Sequence, residues 1–275
     1  MHDPLPSKEA FLAGSVAGAA GMTLGHPLDT MKTYAQTGHG SPPSVRALFR
    51  GIGPPIATAG CLSSIILGVY ENVRRQLWPI DSATTGSPGP PPLWAEGVAG
   101  SCSGLCISVL TGPMGRIKVQ QQLTGAGFMR VLRDAVSTRT LYAGYSMTAL
   151  FEASRGVYMM SYALLKRSLG SAIDTAPPAL PLWARTIAGA GANIISWSLL
   201  YPVDVVRSVQ MAQAAAKPAS VPGPINCARA LVAEGGVTRL YRGFGATMLR
   251  AGPVAGIILP CFELVLPWLE ARRRD

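Results

Sequence analysis

Hydrophobic residues gather in six long stretches that are separated by shorter polar connections. As a helix rising about 1.5 Å per residue, each stretch is long enough to cross a hydrocarbon layer of roughly 30 Å. The pattern therefore predicts six membrane-spanning helices, and because this number is even, both chain ends are expected on the same side of the membrane. The stretches cover approximately residues 9–36, 54–78, 93–122, 147–170, 181–211 and 247–270.

One short motif occurs near the end of each odd-numbered stretch. It consists of a helix-breaking proline, a position two residues later that is acidic in two of the copies, and a base three residues after that position. The copies begin at Pro27, Pro113 and Pro202, so they are spaced by 86 and then by 89 residues. This period suits two spanning helices with their connection, and it is too long for a solenoid repeat. The chain is therefore predicted to hold three repeats, over residues 1–80, 93–170 and 181–275.

The three motifs resemble the signature of the mitochondrial carrier family, Pro-x-[Asp/Glu]-x-x-[Lys/Arg], which occurs in three repeats of about this length. A later part of that signature, an acidic-glycine pair and an aromatic-basic-glycine triplet, is complete only in the third repeat, from Glu234 to Gly243. The first repeat keeps the triplet as Phe49-Arg50-Gly51, and in the second repeat the triplet Tyr142-Ala143-Gly144 lacks the base. The resemblance implies an all-α membrane protein with six transmembrane helices in three pseudo-symmetric repeats, the mitochondrial carrier fold, with short matrix helices.

The composition agrees with a membrane protein. Charged residues make up only 14% of the chain and hydrophobic residues 48%, whereas soluble domains carry about 25% charged residues. The formal net charge is +10, and the bases collect in the connections after the odd stretches, for example at Arg46, Arg130 and Arg229, which places those connections on the matrix side. Aromatic residues are only 7% of the chain, too few for a base-stacking surface, so no nucleic-acid partner is expected. The sequence predicts no catalytic residues, metal site or cofactor, and the expected lipid partner is cardiolipin.

Small residues recur at matched depths in the odd stretches. They lie 13 and 9 residues before each motif proline, as Gly14 and Gly18, Gly100 and Gly104, and Gly189 and Asn193. This spacing lets helices approach closely in lipid, where apolar attraction alone gives little association. It predicts close helix packing in each repeat. The protein is expected to be a monomer.

Charged side chains inside a membrane usually face a partner or a water-filled cavity. If each motif acid reaches the base of the next odd helix, two ion pairs form, and the third slot is broken because Gly115 stands opposite Arg207. In the family, glutamines nine residues after the proline brace such pairs, but Met211 replaces the third glutamine. We call this set the matrix gate: Asp29 paired with Lys118, Asp204 paired with Lys32, together with Arg207, Gln36 and Gln122.

The family has a second ring of charges on the even helices, with the pattern aromatic-acid-x-x-base. The second repeat has lost its acid, as Ala163, and the third repeat its base, as Leu266. By the same pairing rule, these two positions are the partners of one ion pair, so the loss of both leaves no charge unpaired. We call the remaining set the cytoplasmic gate, with the expected pairs Glu71 with Lys166 and Glu263 with Arg74. Two opposed gates that are not open together give alternating access to a central site.

The resemblance also places the substrate contacts. Counting seven or eight residues beyond the triplet glycine reaches Thr58 and Ala59, Phe151 and Glu152, and Arg250 and Ala251. Arg250 is expected to bind a carboxylate and Glu152 an amine, which suits a zwitterion. Alternatively, Arg155 pairs with Glu152 three residues away on the same helix. The small residues around Gly60 leave room for the rest of the substrate.

These observations predict a secondary transporter of a zwitterionic or cationic metabolite, an amino acid or a carnitine derivative, working by exchange in the mitochondrial inner membrane. Both termini are expected on the intermembrane-space side. A nucleotide or carboxylate carrier is one alternative. Another is a carrier-like protein that does not transport metabolites and serves in interaction or proton leak, as Gly115, Met211 and Phe151 depart from the family pattern.

Overall fold

A computed structural model describes residues 8–40, 42–78, 90–175, 180–216 and 220–249, together with residue 265. Regular structure in this part of the chain is helical throughout. Two short 3-10 helices, Val45–Phe49 and Val237–Tyr241, lie in the connections after the first and third odd helices. The longer helices are α1 (Lys8–Thr37), α2 (Gly53–Leu77), α3 (Leu93–Thr124), α4 (Phe128–Ser137), α5 (Tyr145–Ala153), α6 (Arg155–Ala172), α7 (Leu182–Ala216) and α8 (Pro224–Gly235).

The predicted stretches correspond to these helices with one exception. Helices α1, α2, α3 and α7 match the first, second, third and fifth stretches within a few residues. The fourth stretch is not continuous as predicted, because it is divided into α5 and α6 at Ser154, whose hydroxyl donates to the carbonyl of Phe151. Of the sixth stretch, only residues 247–249 and 265 are described. By length and composition, α3 and the segment Pro55–Leu77 of α2 can cross a membrane.

The motif prolines lie inside their helices, as the bounds of the apolar stretches predict. Helices α1, α3 and α7 continue through Pro27, Pro113 and Pro202. A proline within a helix leaves the carbonyl four residues earlier without its usual donor. In the third repeat the hydroxyl of Tyr241 donates to that carbonyl, at Ser198, over 3.1 Å. The aromatic position of the triplet thus stabilises the helix at its proline.

The same contact occurs in the second repeat and has no counterpart in the first. The hydroxyl of Tyr142 donates to the carbonyl of Val109 over 3.4 Å, and Val109 is the residue four positions before Pro113. The first repeat has Phe49 at the equivalent position, and a phenylalanine has no hydroxyl to donate. The three repeats therefore differ in how they stabilise the proline site.

The triplet glycines explain how the repeats meet. All three have φ between 76° and 89°, a left-handed conformation that favours glycine. A Cβ on any of them would lie within 3.5 Å of a backbone carbonyl of the next odd helix, at its motif base. Each repeat therefore docks on the following one, and the third docks on the first. The contacts are Gly51 with Lys118, Gly144 with Arg207 and Gly243 with Lys32.

The predicted close packing by small residues is confirmed in the second repeat. A Cβ on Gly100 would lie 2.9 Å from the Cα of Gly156, and a Cβ on Gly104 would overlap the carbonyl oxygen of Glu152. Helix α3 therefore contacts the backbone of α5 and α6 directly. At Gly189 in α7 the nearest neighbours lie at ordinary distances of 3.9 Å or more, so matched depth does not by itself produce equal contacts. Contacts of Gly14 and Gly18 lie outside the described residues.

Helices α3 and α7 have equivalent buried and exposed faces. On the buried face, Ala95 and Ala99 of α3 are fully buried, and so are Ala184 and Ala188 of α7, 89 residues later. On the exposed face, both helices carry large apolar side chains at equivalent positions, as a lipid-facing surface requires. They are Trp94, Val98, Leu105 and Leu110 on α3 and Trp183, Ile187, Ile194 and Leu199 on α7.

Short helices cover one end of the bundle in two of the repeats. Helix α8 buries Cys227 and Leu231 against Val205 and Val209 of α7, and α4 buries Val131. Burial raises the pKa of the Cys227 thiol above its usual range. In the first repeat, the described connection contains only the 3-10 helix, so the predicted short matrix helices are α-helical in the second and third repeats alone.

Candidate functional site

The three odd helices converge and enclose a cavity. Helices α1, α3 and α7 all contact one another, and this brings the three copies of the proline motif together. The cavity between them has a volume of about 130 Å³. Its lining residues are Asp29, Lys32, Thr33, Gln36, Gly115, Lys118, Val119, Gln122, Asp204, Arg207, Ser208 and Met211.

One predicted ion pair of the matrix gate joins α1 to α7. The Nζ of Lys32 lies 2.7 Å from Oδ2 of Asp204, and both side chains are largely buried. Gln36 donates to the same carboxylate oxygen over 2.8 Å, as its position nine residues after Pro27 predicts. The Lys32 ammonium also lies 4.4 Å from the ring centroid of Trp197. The pair is therefore held by charge, a hydrogen bond and an aromatic face.

A second ion pair joins α3 to α1. The Nζ of Lys118 lies 3.2 Å from Oδ2 of Asp29, which is the predicted pairing. Gln122 does not brace this pair, because its amide donates over 3.1 Å to the hydroxyl of Thr30. That hydroxyl in turn donates to the carbonyl of Leu48, so Gln122 ties α3 to α1 through a threonine. The prediction that Gln122 braces the pair of Lys118 with Asp29 is therefore wrong.

The third slot contains a base without an acid. Arg207 forms no ion pair in the described part of the chain, and Gly115 lies beside it. A Cβ on Gly115 would be 2.8 Å from Nη2 of Arg207. The guanidinium carbon lies 5.3 Å from the ring centroid of Phe151, and that ring packs against Trp197 at 5.4 Å. Arg207 therefore lies over an aromatic ring and forms no ion pair of its own in the described part of the chain.

The predicted substrate contacts that the structure describes do not line this cavity. Glu152 is only 5% exposed, and its carboxylate lies 2.8 Å from Nη2 of Arg155, so the alternative pairing is the one that forms. Neither of these residues lines the described cavity, nor does Gly60 of α2. The backbone at Glu152 packs on α3, while the neighbouring Phe151 side chain contacts α7. Arg250 lies outside the described residues.

The cytoplasmic gate is not assembled as predicted. Glu71 binds Arg74 at 2.8 Å and Arg75 at 2.7 Å on its own helix, where residues three and four apart are neighbours. The Nζ of Lys166 lies 4.5 Å from the ring centroid of Tyr162, also on its own helix. The expected pair of Glu71 with Lys166 is therefore wrong for this conformation. Glu263 and Leu266 lie outside the described residues.

Two residues near these sites were missed by the sequence reasoning. Glu96 of α3 is 8% exposed and accepts a hydrogen bond from the hydroxyl of Tyr70 on α2. An acidic residue inside an apolar stretch was the available signal. Trp197 gave a weaker signal, since an aromatic residue in an apolar helix is ordinary, and only the fold places it between Lys32 and Phe151.

Comparisons with known proteins cover nearly the whole chain. A family model described as "Mitochondrial carrier protein" matches residues 3–80, 89–172 and 178–272. A mitochondrial glycine transporter of Saccharomyces cerevisiae is 29% identical, over 97% of this chain and 93% of its own length. A mitochondrial basic amino acids transporter of Bos taurus is 30% identical, over 94% and 91%. A mitochondrial arginine transporter of Arabidopsis thaliana is 28% identical, over 93% and 90%.

Proposed function

Because the chain belongs to the mitochondrial carrier family, we propose that it transports an amino acid across the mitochondrial inner membrane, by exchange. The relatives named above transport glycine, basic amino acids or arginine, and each aligns with this chain over nearly its full length. None of these three names carnitine, so the proposal narrows the expected substrate class to amino acids. The proposed architecture is the family's six helices in three repeats.

The mechanism we propose is alternating access. The observation that carries it is the difference between the two rings of charges: the matrix gate has two ion pairs between helices, while Glu71 of the cytoplasmic gate is paired on its own helix. A carrier that is closed at one end and open at the other needs this asymmetry. An exposed ion pair contributes about 0–1 kcal/mol to stability, and a buried pair loses more when one partner is removed. Because the gate contains only a few such pairs, substrate binding can open it.

The orientation and surroundings of the chain form part of the proposal. The basic connections after the odd helices face the matrix, and both termini face the intermembrane space. Arg130 and Arg133 of the amphipathic helix α4, together with Arg229 of α8, suit anionic headgroups, with cardiolipin as the expected lipid. The working unit is a monomer, since the cavity is formed by helices of a single chain.

Uptake into proteoliposomes tests this function directly. The purified full-length chain is reconstituted into vesicles loaded with glycine, arginine or glutamate, and uptake of each labelled amino acid is compared with that of carnitine, ADP and malate. We expect uptake of at least one amino acid that depends on internal amino acid. Uptake of carnitine, ADP or malate alone would overturn the substrate class, and no uptake of any compound would favour a carrier-like protein without transport.

A further inference from the structure

The cavity has more positive than negative groups. Of the five charged residues that line it, two acids and two bases form the ion pairs described above. The fifth, Arg207, forms no ion pair in the described part of the chain. The cavity as described therefore has one excess positive charge, and such a charge favours an anionic ligand group.

The position of Arg207 indicates where that group binds. In the two complete slots, an acidic side chain projects from the second residue after the motif proline toward the base of the next helix. In the third slot this residue is Gly115, and the Arg207 guanidinium reaches to within 2.8 Å of the place where its Cβ would be. The guanidinium therefore occupies the place of the missing side chain, and both Gly115 and Arg207 line the cavity.

The chemistry of the site selects a carboxylate. The guanidinium carbon lies 5.3 Å from the ring centroid of Phe151, and the N–H donors of a guanidinium match a planar bidentate acceptor such as a carboxylate. The cavity of about 130 Å³ has room for on the order of four water molecules. This size accommodates a carboxylate with its first carbon atoms.

We propose that Arg207 binds the carboxylate of the transported amino acid at the cavity wall beside Gly115. This inference rests on the proposed function and assigns the carboxylate to one residue of the cavity. The substrate then completes the third pair of the matrix gate, and its departure toward the matrix breaks that pair. Arg207 is a substrate-binding residue in this scheme, in addition to its place in the ring.

Two variants of Gly115 test the slot without removing Arg207. Gly115→Asp places a carboxylate beside the guanidinium and should compete with the substrate, whereas Gly115→Asn has nearly the same shape and no charge. We expect KM for the transported amino acid to rise about tenfold or more in Gly115→Asp relative to Gly115→Asn, the change expected when one charge-assisted hydrogen bond is lost. Equal KM values in the two variants would overturn the proposal.

A second measurement follows binding without transport. In detergent, the amino acid should raise the melting temperature of the wild-type protein, and the corresponding amine without a carboxylate, such as agmatine in place of arginine, should not. Arg207→Gln should abolish the shift, and Arg207→Lys should keep part of it. Equal shifts with the amine, or an unchanged shift in Arg207→Gln, would overturn the carboxylate assignment. Loss of the shift in Arg250→Ala but not in Arg207→Gln would place the carboxylate at Arg250 instead.

These results separate the inference from the proposed function. If the wild-type chain takes up no amino acid, the proposed function fails, and a carboxylate-dependent melting shift that Arg207→Gln abolishes still supports the binding site. If the wild-type chain takes up an amino acid and the Gly115 and Arg207 variants keep its KM, the function stands and the inference fails.

Discussion

The matrix gate and the cytoplasmic gate contain similar charges at similar spacing, yet their charges find partners in different places. Lys32 and Lys118 each pair with an acid of another helix, while Glu71 pairs with two arginines of its own helix. The difference follows from convergence, because α1, α3 and α7 contact one another at the first ring. Residue type and spacing make a charge available for pairing. The distance between helices decides whether its partner lies on another helix or on its own.

The largest expected effect comes from breaking the matrix gate at Asp204. Removing this carboxylate leaves the largely buried Lys32 ammonium without its partner, which costs about 3–5 kcal/mol in buried pairs. Asp204→Ala should therefore lower thermal stability and shift the protein away from the conformation closed at this ring. Unfolding midpoints in detergent and exchange rates in proteoliposomes measure the two effects.

The double variant Lys32→Ala with Asp204→Ala is the control for this prediction. Replacing both partners strands no charge, so it should be less destabilised than the sum of the single variants. Additive effects would mean that the ion pair at 2.7 Å makes no energetic contribution to the closed ring.

A smaller effect is expected at the helix contact between the two gates. Gly104 lies where α3 touches the backbone of α5, and an added Cβ would overlap the carbonyl of Glu152. Gly104→Ala should therefore destabilise the protein by about 1–3 kcal/mol, since neither backbone can give way without a shift. The measurement is the unfolding midpoint.

Gly189→Ala provides a matched control on α7. Its neighbours are at 3.9 Å or more, and alanine favours the helix by up to about 1 kcal/mol over glycine. We expect unchanged or increased stability for this variant. A loss equal to that of Gly104→Ala would show that small residues matter at this depth for a reason other than the close approach.

The hydrogen bond at the motif proline predicts an effect near 1 kcal/mol. Tyr241→Phe removes the donor to the carbonyl of Ser198 and should cost about 0.5–1.5 kcal/mol. Phe49→Tyr introduces the hydroxyl that the first repeat lacks and should stabilise α1 by a similar amount. Unfolding midpoints of both variants test the contact, and a destabilising Phe49→Tyr would show that the first repeat cannot form it.

The smallest effect on stability is expected at the cytoplasmic gate. Glu71 is paired within its own helix and is partly exposed, so Glu71→Gln should cost about 0–1 kcal/mol in this conformation. If Glu71 instead pairs with Lys166 when the matrix end of the bundle opens, the substitution changes the exchange rate. The exchange rates of Glu71→Gln, Lys166→Gln and their double variant should then be non-additive, with no coupling in the unfolding midpoints. Coupling in neither measurement would remove this pair from the gate.

Much of the fold was predictable because it depends on repeated local signals. Three phased copies of the proline motif indicated three repeats, and the helices α1, α2, α3 and α7 lie where the apolar stretches placed them. Both ion pairs of the matrix gate were predicted correctly, as was the close approach at Gly104. These features need only the right residue types at matched depths.

Side-chain directions at the predicted substrate level were harder to predict because they depend on the rotation of a helix. Successive residues of an α-helix point about 100° apart, so a depth count that accepts either Phe151 or Glu152 leaves the face undecided. In the structure, Glu152 is held by Arg155 and Phe151 contacts Arg207. The hydrogen bond from Tyr241 to the carbonyl of Ser198 was also missed, because this tyrosine lies 39 residues beyond Pro202.

The sequence by itself determined the family, the helical repeats, the missing acid at Gly115 and the charges available to each ring. Only the tertiary structure decided that Gln122 binds Thr30, that Glu71 pairs within its own helix, and that Arg207 lies over the ring of Phe151. The reason is physical: helix formation and charge depend on neighbours a few residues apart, whereas the choice of partner depends on distances and directions between helices that are set when the whole bundle packs.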